Sequence, residues 1–234
     1  MNILYWASRP KALLKKIKAT FILKKTLRKF KFKEKDKFFS RSYNNYDDYI
    51  KHQKSKFIIR ERYLSSNFEA KTENFYSDFK KIGDFSGKNI LCLASRDGAE
   101  VKAFRKLNAY AIGIDLMYPK NSKFVHYGDF HEIPYPDGVF DYVFTNSLDH
   151  SFDINKILSE AKRVLNKDGT FLCNIVIGHA EGFKYFKEGP HESFTWSKRK
   201  DLVDKISKKY FFLEKEVKID NRWSHFFFKI QDTN

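Results

Sequence analysis

Apolar residues along this chain change their period at residue 89. Before it they recur at helical spacing; after it, short apolar runs alternate with amphipathic stretches. Ile90, Leu91, Cys92 and Leu93 form an uninterrupted apolar run, the pattern of a strand buried on both faces of a parallel sheet. Ala94–Gly98 is a turn of small and polar residues, and Val101, Phe104 and Leu107 then return at helical spacing. Ala111–Ile114 is a second apolar run, ending on Asp115. Strand, turn, helix and strand of this length predict one βαβ unit. The alternation continues: Phe124–Tyr127, Phe140–Phe144 and Thr170–Ile177 predict three further strands. Ile154, Ile157, Leu158, Ala161, Val164 and Leu165 predict a helix that stops at Asp168-Gly169. Leu202, Val203, Ile206 and Tyr210 suggest another helix. Phe211–Ile219 and His225–Ile230, joined through Asp220–Trp223, read as a closing hairpin. The expected class is α/β, with a mostly parallel sheet and an antiparallel C-terminal pair.

Ahead of the sheet, Tyr46, Tyr49, Ile50, Gln53 and Phe57 keep helical spacing, and Phe68, Phe75 and Phe79 follow in a second segment. Residues 38–83 are therefore expected to form a helical cap, leaving 84–234 as the α/β domain. Tyr46, His52 and Gln53 are the cap residues to inspect for a ligand contact. Residues 1–37 form a basic arm of thirteen Lys/Arg against Glu34 and Asp36, so the arm carries +11 of the chain's net +16. Ser8 and Pro10 suit a helix start. Leu13, Leu14, Ile17 and Phe21 share one face, and beyond Phe21 the apolar register drifts to Leu23, Leu27 and Phe30. Two readings stay open. One is an anchor on an anionic membrane surface, with Tyr5 and Trp6 at the interface. The other is a lysine-rich, partly disordered arm. Nucleic acid is the poorer partner, because a charge run without a binding module is a weak signal.

Ligands in such sheets bind beyond the carboxyl ends of the strands, where the Ala94–Gly98 turn and Asp115 fall. A dinucleotide fingerprint needs glycines where this chain has Ala94 and Arg96. A bulky Arg96 disfavours a pyrophosphate on that turn, but a guanidinium suits a carboxylate. Asp115, seventeen residues after Gly98, suits a ribose diol.

Four stretches in order then carry a resemblance: ILCLASRDGAE, AIGID, FVHYGDFHEIPYPDGVFDYVFTNSLDH and RVLNKDGTF. Together they resemble the class I S-adenosylmethionine-dependent methyltransferases over roughly 85–178. The departures are Ala94 and Arg96 for glycines, and Cys92 for the usual acid on the first strand. The resemblance implies a Rossmann-like seven-stranded sheet with S-adenosylmethionine as cofactor. It implies that Ala94, Ser95, Arg96, Gly98, Asp115, Leu116, Asp129, Phe130 and Asn146 face that cofactor. Asp115 would hold the ribose, while Asp129 would meet the adenine amine and Phe130 its ring. Acceptor-side chemistry would fall to Asp149 and His150 after the fourth strand, with His191 in the long 178–196 loop as the rival base.

The expected reaction is methyl transfer to a small-molecule or glycan- or lipid-linked acceptor. The alternative is an inactive cofactor-binding module tethered to a membrane or a partner enzyme. Cys92 and Cys173 both fall in expected buried strands, which fits packing thiols in a reducing, cytoplasmic setting, with peripheral attachment at the inner membrane face through the arm. No metal-ligand spacing occurs, and no apolar run reaches the ~18 residues of a membrane span.

Overall fold

The computed structural model describes residues 10–118, 122–183 and 191–231, with the side chains of 60–66 excepted. The basic arm contributes helix α1 (Pro10–Lys29). A hairpin follows, β1 (Phe32–Lys35) and β2 (Phe38–Arg41), and then the cap helices α2 (Tyr46–Ser66) and α3 (Phe68–Ile82). The α/β domain runs β3 (Asn89–Leu93), α4 (Ala99–Lys106), β4 (Tyr110–Asp115), β5 (Val125–Tyr127), β6 (Phe140–Thr145), α5 (Ile154–Val164) and β7 (Leu165–Val176). It closes with β8 (Phe194–Trp196), α6 (Arg199–Ser207), β9 (Phe211–Lys218) and β10 (Trp223–Ile230).

Seven strands form one sheet in the order β5-β4-β3-β6-β7-β10-β9. The β5, β4, β3, β6 and β7 ladders are parallel, and β10 pairs antiparallel with both β7 and β9. This is the expected Rossmann-like sheet with its antiparallel ending. Ile90, Leu91, Cys92 and Leu93 are all fully buried, as a central parallel strand requires. One face of the sheet packs on α5 and α6 through Ile157, Leu158, Ala161 and Leu202. The other packs on α3 and α4, where Phe79 stacks on Phe104 at 3.9 Å between centroids. Both thiols are free and buried.

One part of the cap departs from the helical expectation. Residues 38–41 are a strand, because Asp36 and Lys37 both adopt positive φ (51° and 70°) and close a two-residue hairpin whose hand matches strand twist. Phe194–Trp196, within the supposedly structureless loop, adds a third strand to that hairpin. Residues 184–190 of that loop lie outside the described residues, as do Tyr5, Trp6 and Ser8. Helix α5 also ends at Val164, four residues before Asp168-Gly169, as the chain turns directly into β7.

On α1, Ala19, Leu23 and Thr26 are buried and Phe30 follows them inward, toward the packing of α1 on α2. The drift of the apolar register beyond Phe21 is this inward face. Leu14, Ile17 and Phe21 lie on the outer face, 58%, 55% and 69% exposed, whereas Leu13 is half-buried. No helix among the described residues is long and apolar enough to cross a membrane.

Candidate active site

The turn after β3 is where the site begins. Ser95 N–H donates to the Ile114 carbonyl (3.1 Å) and Gly98 N–H to the Ser95 carbonyl (2.7 Å), folding the turn onto the end of β4. Ala94, Arg96 and Gly98 all take positive φ, at 53°, 47° and 79°. The chain keeps the backbone of a glycine-rich turn while replacing two of its glycines. At Gly98 a side chain is excluded twice, because a Cβ there would also meet Val125 Cγ2 at 2.6 Å.

Asp115, at the carboxyl end of β4, accepts Arg96 N–H on one oxygen (2.9 Å) and Met117 N–H on the other (2.6 Å). Burial raises its pKa, and these two amides together with the Arg96 charge act against that rise. Each oxygen retains a lone pair, so a diol still finds acceptors here. The Arg96 guanidinium takes no hydrogen-bond partner among the described residues, although it stands on the wall of two adjoining cavities.

The first cavity takes in about 680 Å³ of space not filled by protein atoms, part of it open to solvent. Asp115, Leu116, Met117, Gly128 and Phe130 line it on the sheet side, and Tyr49, Gln53, Lys56 and Phe57 of α2 on the cap side. The second holds Ser95, Asn146, Asp149, Glu192 and the buried Glu100, whose pKa burial pushes up to about 8. Ala94, Arg96, His150 and His191 border both. Ala94, Ser95, Arg96, Asp115, Leu116, Phe130 and Asn146 thus line one or both of these adjoining cavities together with Asp149, His150 and His191, whereas Gly98 lies outside both walls.

Asp129 also stands apart. It is absent from both cavity walls and bound instead into a clamp beside them. One oxygen accepts His131 N–H and Nδ1–H, both at 2.8 Å, and the other accepts the Tyr46 hydroxyl. His131 Nε2 accepts the Phe152 and Asp153 amides (both 3.1 Å), so the clamp ties α2 to the start of α5. Burial works to raise the Asp129 pKa, but the His131 and Tyr46 hydrogen bonds outweigh it and hold the carboxyl below its usual value. Of the three cap residues that could meet a ligand, Gln53 lines the first cavity and Tyr46 joins the clamp. His52 is fully buried, with Nδ1 at 2.6 Å from the Tyr43 hydroxyl.

At the acceptor end, Leu148–His150 form a single 3-10 turn after β6. Asp149 Oδ2 lies 3.9 Å from His150 Nδ1, too far for a hydrogen bond, and the Asp149 carbonyl accepts Ser193 N–H (2.8 Å). Burial drives the Asp149 carboxyl up to about 7, and drives His150 well below its ordinary value with help from the Lys56 and Arg96 charges. His150 is therefore a neutral imidazole, able to accept a proton.

The partner of His150 Nδ1 is Lys56 Nζ, at 3.4 Å. Lys56 is only 6% exposed and also donates to the His191 carbonyl. The sequence reading missed it, together with Tyr49, Phe57 and Met117. Its signal was there: Tyr49, Gln53, Lys56 and Phe57 share one helical face, and a lysine on the inward face of a cap is out of place unless used.

Residues 91–173 match the family model described as a methyltransferase domain. The matched segment runs from β3 to β7 and is similar to methyltransferase domains that use S-adenosylmethionine. Among solved structures, the chain resembles a 1,6-didemethyltoxoflavin-N1-methyltransferase from Burkholderia thailandensis, bound to 1,6-didemethyltoxoflavin and S-adenosylhomocysteine. The TM-score is 0.63 at 12% identity, covering 86% of this chain and 100% of that one. A methyltransferase from Aquifex aeolicus matches with TM-score 0.54 at 17% identity, over 67% of this chain and 89% of that one. A protein from Pyrococcus horikoshii gives 0.54 at 19%, over 72% and 91%. A comparison with curated protein sequences finds no match.

Proposed function

We propose that this chain methylates a nucleophilic hydroxyl or amine of a small molecule bound between α2 and the carboxyl ends of β4 and β6. The observation that carries the reading is a pair of adjoining cavities: Asp115 lines one, and a neutral His150 and the Arg96 guanidinium, which has no hydrogen-bond partner among the described residues, line both. When bound, S-adenosylmethionine supplies an electrophilic methyl group on a sulfonium. Asp115 offers its spare lone pairs to the ribose hydroxyls, and Arg96 its guanidinium to the methionine carboxylate. Phe130, Leu116 and Met117 give the adenine an apolar wall. Tyr49 and Phe57 of α2 exclude water from the acceptor, and His150 takes its proton. Catalysis is then mostly alignment of acceptor with methyl, plus removal of one proton. The test is calorimetry with S-adenosylhomocysteine, followed by a metabolite screen for methyl acceptance. Wild-type protein that does not bind it would remove this reading.

For the arm, the outer stripe of Leu14, Ile17 and Phe21, bordered by Lys18, Lys24 and Lys25, supports an anionic membrane surface as its partner. Each lysine near such a surface adds about 1 kcal/mol, and the attraction weakens with salt. Phe21→Glu is expected to abolish sedimentation with phosphatidylserine vesicles. Undiminished binding by that variant would exclude the stripe.

A further inference from the structure

We propose that Lys56 is a positioning residue that selects the tautomer of His150, so that the pair receives the acceptor's proton only when Lys56 is a neutral amine. The inference rests on His150 being the acceptor-side base, and adds the group that switches it.

The argument is one of hydrogen-bond valence. Lys56 Nζ has two partners, His150 Nδ1 at 3.4 Å and the His191 carbonyl. A carbonyl only accepts, so one Nζ–H is committed to it in either charge state. As an ammonium, Lys56 has only donors left. His150 Nδ1 must then be the bare nitrogen, and the ring's single hydrogen sits on Nε2. That tautomer donates from Nε2 and cannot take a proton there. As a neutral amine, Lys56 keeps a lone pair, and Nδ1–H donates to it. Nε2 becomes the bare nitrogen, which is the form a base needs. The proton transfer then balances. The acceptor's O–H or N–H bond breaks, its electron pair stays on the heteroatom, and the hydrogen bonds to Nε2. The Nδ1 hydrogen moves onto the Lys56 lone pair, leaving a neutral ring and an ammonium that later loses its proton to water.

The surroundings place this switch in the working range. Arg41 on β2, Arg96 on the β3 turn and the neighbouring imidazoles His52 and His191 face this pair alongside the carboxylates Asp149 and Glu192. Burial, reinforced by Arg96, brings Lys56 down to about 7, with Asp149 and Glu192 opposing. A lysine on a solvated helix face would stay charged and hold His150 in the wrong form throughout.

The decisive measurement is ¹⁵N NMR of histidine-labelled full-length protein with S-adenosylhomocysteine, from about pH 6 to about pH 8.5. One imidazole, identified through His150→Gln, is expected to exchange its protonated nitrogen from Nε2 to Nδ1 within this range, with a midpoint well below the ordinary lysine value. Lys56→Arg, whose guanidinium never deprotonates, is expected to lock that ring as Nε2–H at every pH, and to cut turnover at high pH about as much as losing His150. If no wild-type imidazole switches, or the switch persists in Lys56→Arg, the proposal is overturned, with no variant needed for the first result. The His150 base assignment fails separately, through unchanged turnover in His150→Ala, and cofactor binding fails separately in calorimetry.

Discussion

Two histidines flank the cleft, and their surroundings are opposites. Every polar atom of the His131 ring is committed, Nδ1 to Asp129 and Nε2 to two backbone amides, so its tautomer is fixed by its neighbours. His150 sits near a carboxylate that does not reach it, and its one close side-chain partner among the described residues is a lysine that can donate or accept. A fully satisfied network holds structure, because any change of protonation leaves a buried group unpaired. A network with one undecided hydrogen can carry a proton. The comparison separates clamp from chemistry in residues that look alike in sequence.

The contrast is tested most directly by removing the His150 side chain. His150→Ala is expected to lower turnover by ~10²–10⁴-fold, the usual effect of losing an acid–base group, while leaving S-adenosylhomocysteine affinity nearly unchanged. Steady-state kinetics beside calorimetry check this. A parallel loss of affinity would make His150 a packing residue like His131. Next in size, Asp115→Ala should weaken cofactor binding roughly 10- to 100-fold, since it removes hydrogen bonds to a charged acceptor at ~1.5–3 kcal/mol. That change tests the cofactor end independently of either histidine.

The clamp should answer in stability rather than rate. Tyr46→Phe removes the hydroxyl that Asp129 accepts and should cost about 1–2 kcal/mol in urea denaturation. The pH dependence has a defined sign. The Asp129 pKa is lower in the folded state than in the unfolded chain, so its contribution is present above the unfolded value of about 4 and is lost as pH falls through the folded one. Wild-type and Asp129→Asn stabilities should therefore draw together as pH falls below about 4 and meet only below the folded-state pKa. A gap that persists there would mean that the clamp acts through packing alone.

What sequence could reveal divides along the same line. The parallel strands were readable because burial on both faces writes continuous apolar runs, and Asp115 because it ends one of them. The β1–β2 hairpin escaped because its turn uses Asp36 and Lys37 in place of glycine, and its strands are four residues each. The diversion of Asp129 into the clamp depends on Tyr46, eighty-three residues away, and no local pattern reports such a partner. Lys56 meets His150 across ninety-four residues of chain, so its role emerges only once α2 is laid over β6. Local periodicity specifies elements, whereas the identity of a hydrogen-bond partner is a property of the packed whole.

The smallest expected effect concerns the turn that serves both sides. Ala94 holds φ at 53°, in the left-handed region where a Cβ costs roughly 1–2 kcal/mol. Glycine would remove that cost but lose about 0.5–1 kcal/mol by freeing the unfolded chain. Ala94→Gly should therefore raise stability by less than about 1 kcal/mol, and the turn should keep its shape because its hydrogen bonds run through Ser95 and Gly98. Arg96→Gly removes the same backbone cost at 47° but also the guanidinium between the two cavities. Its stability should rise as in Ala94→Gly while its cofactor affinity falls. Calorimetry on the two variants side by side separates backbone from charge. Equal affinities would mean that Arg96 fills a glycine position without holding the carboxylate. A loss confined to Arg96→Gly would place that carboxylate at the junction of the two cavities, beside His150.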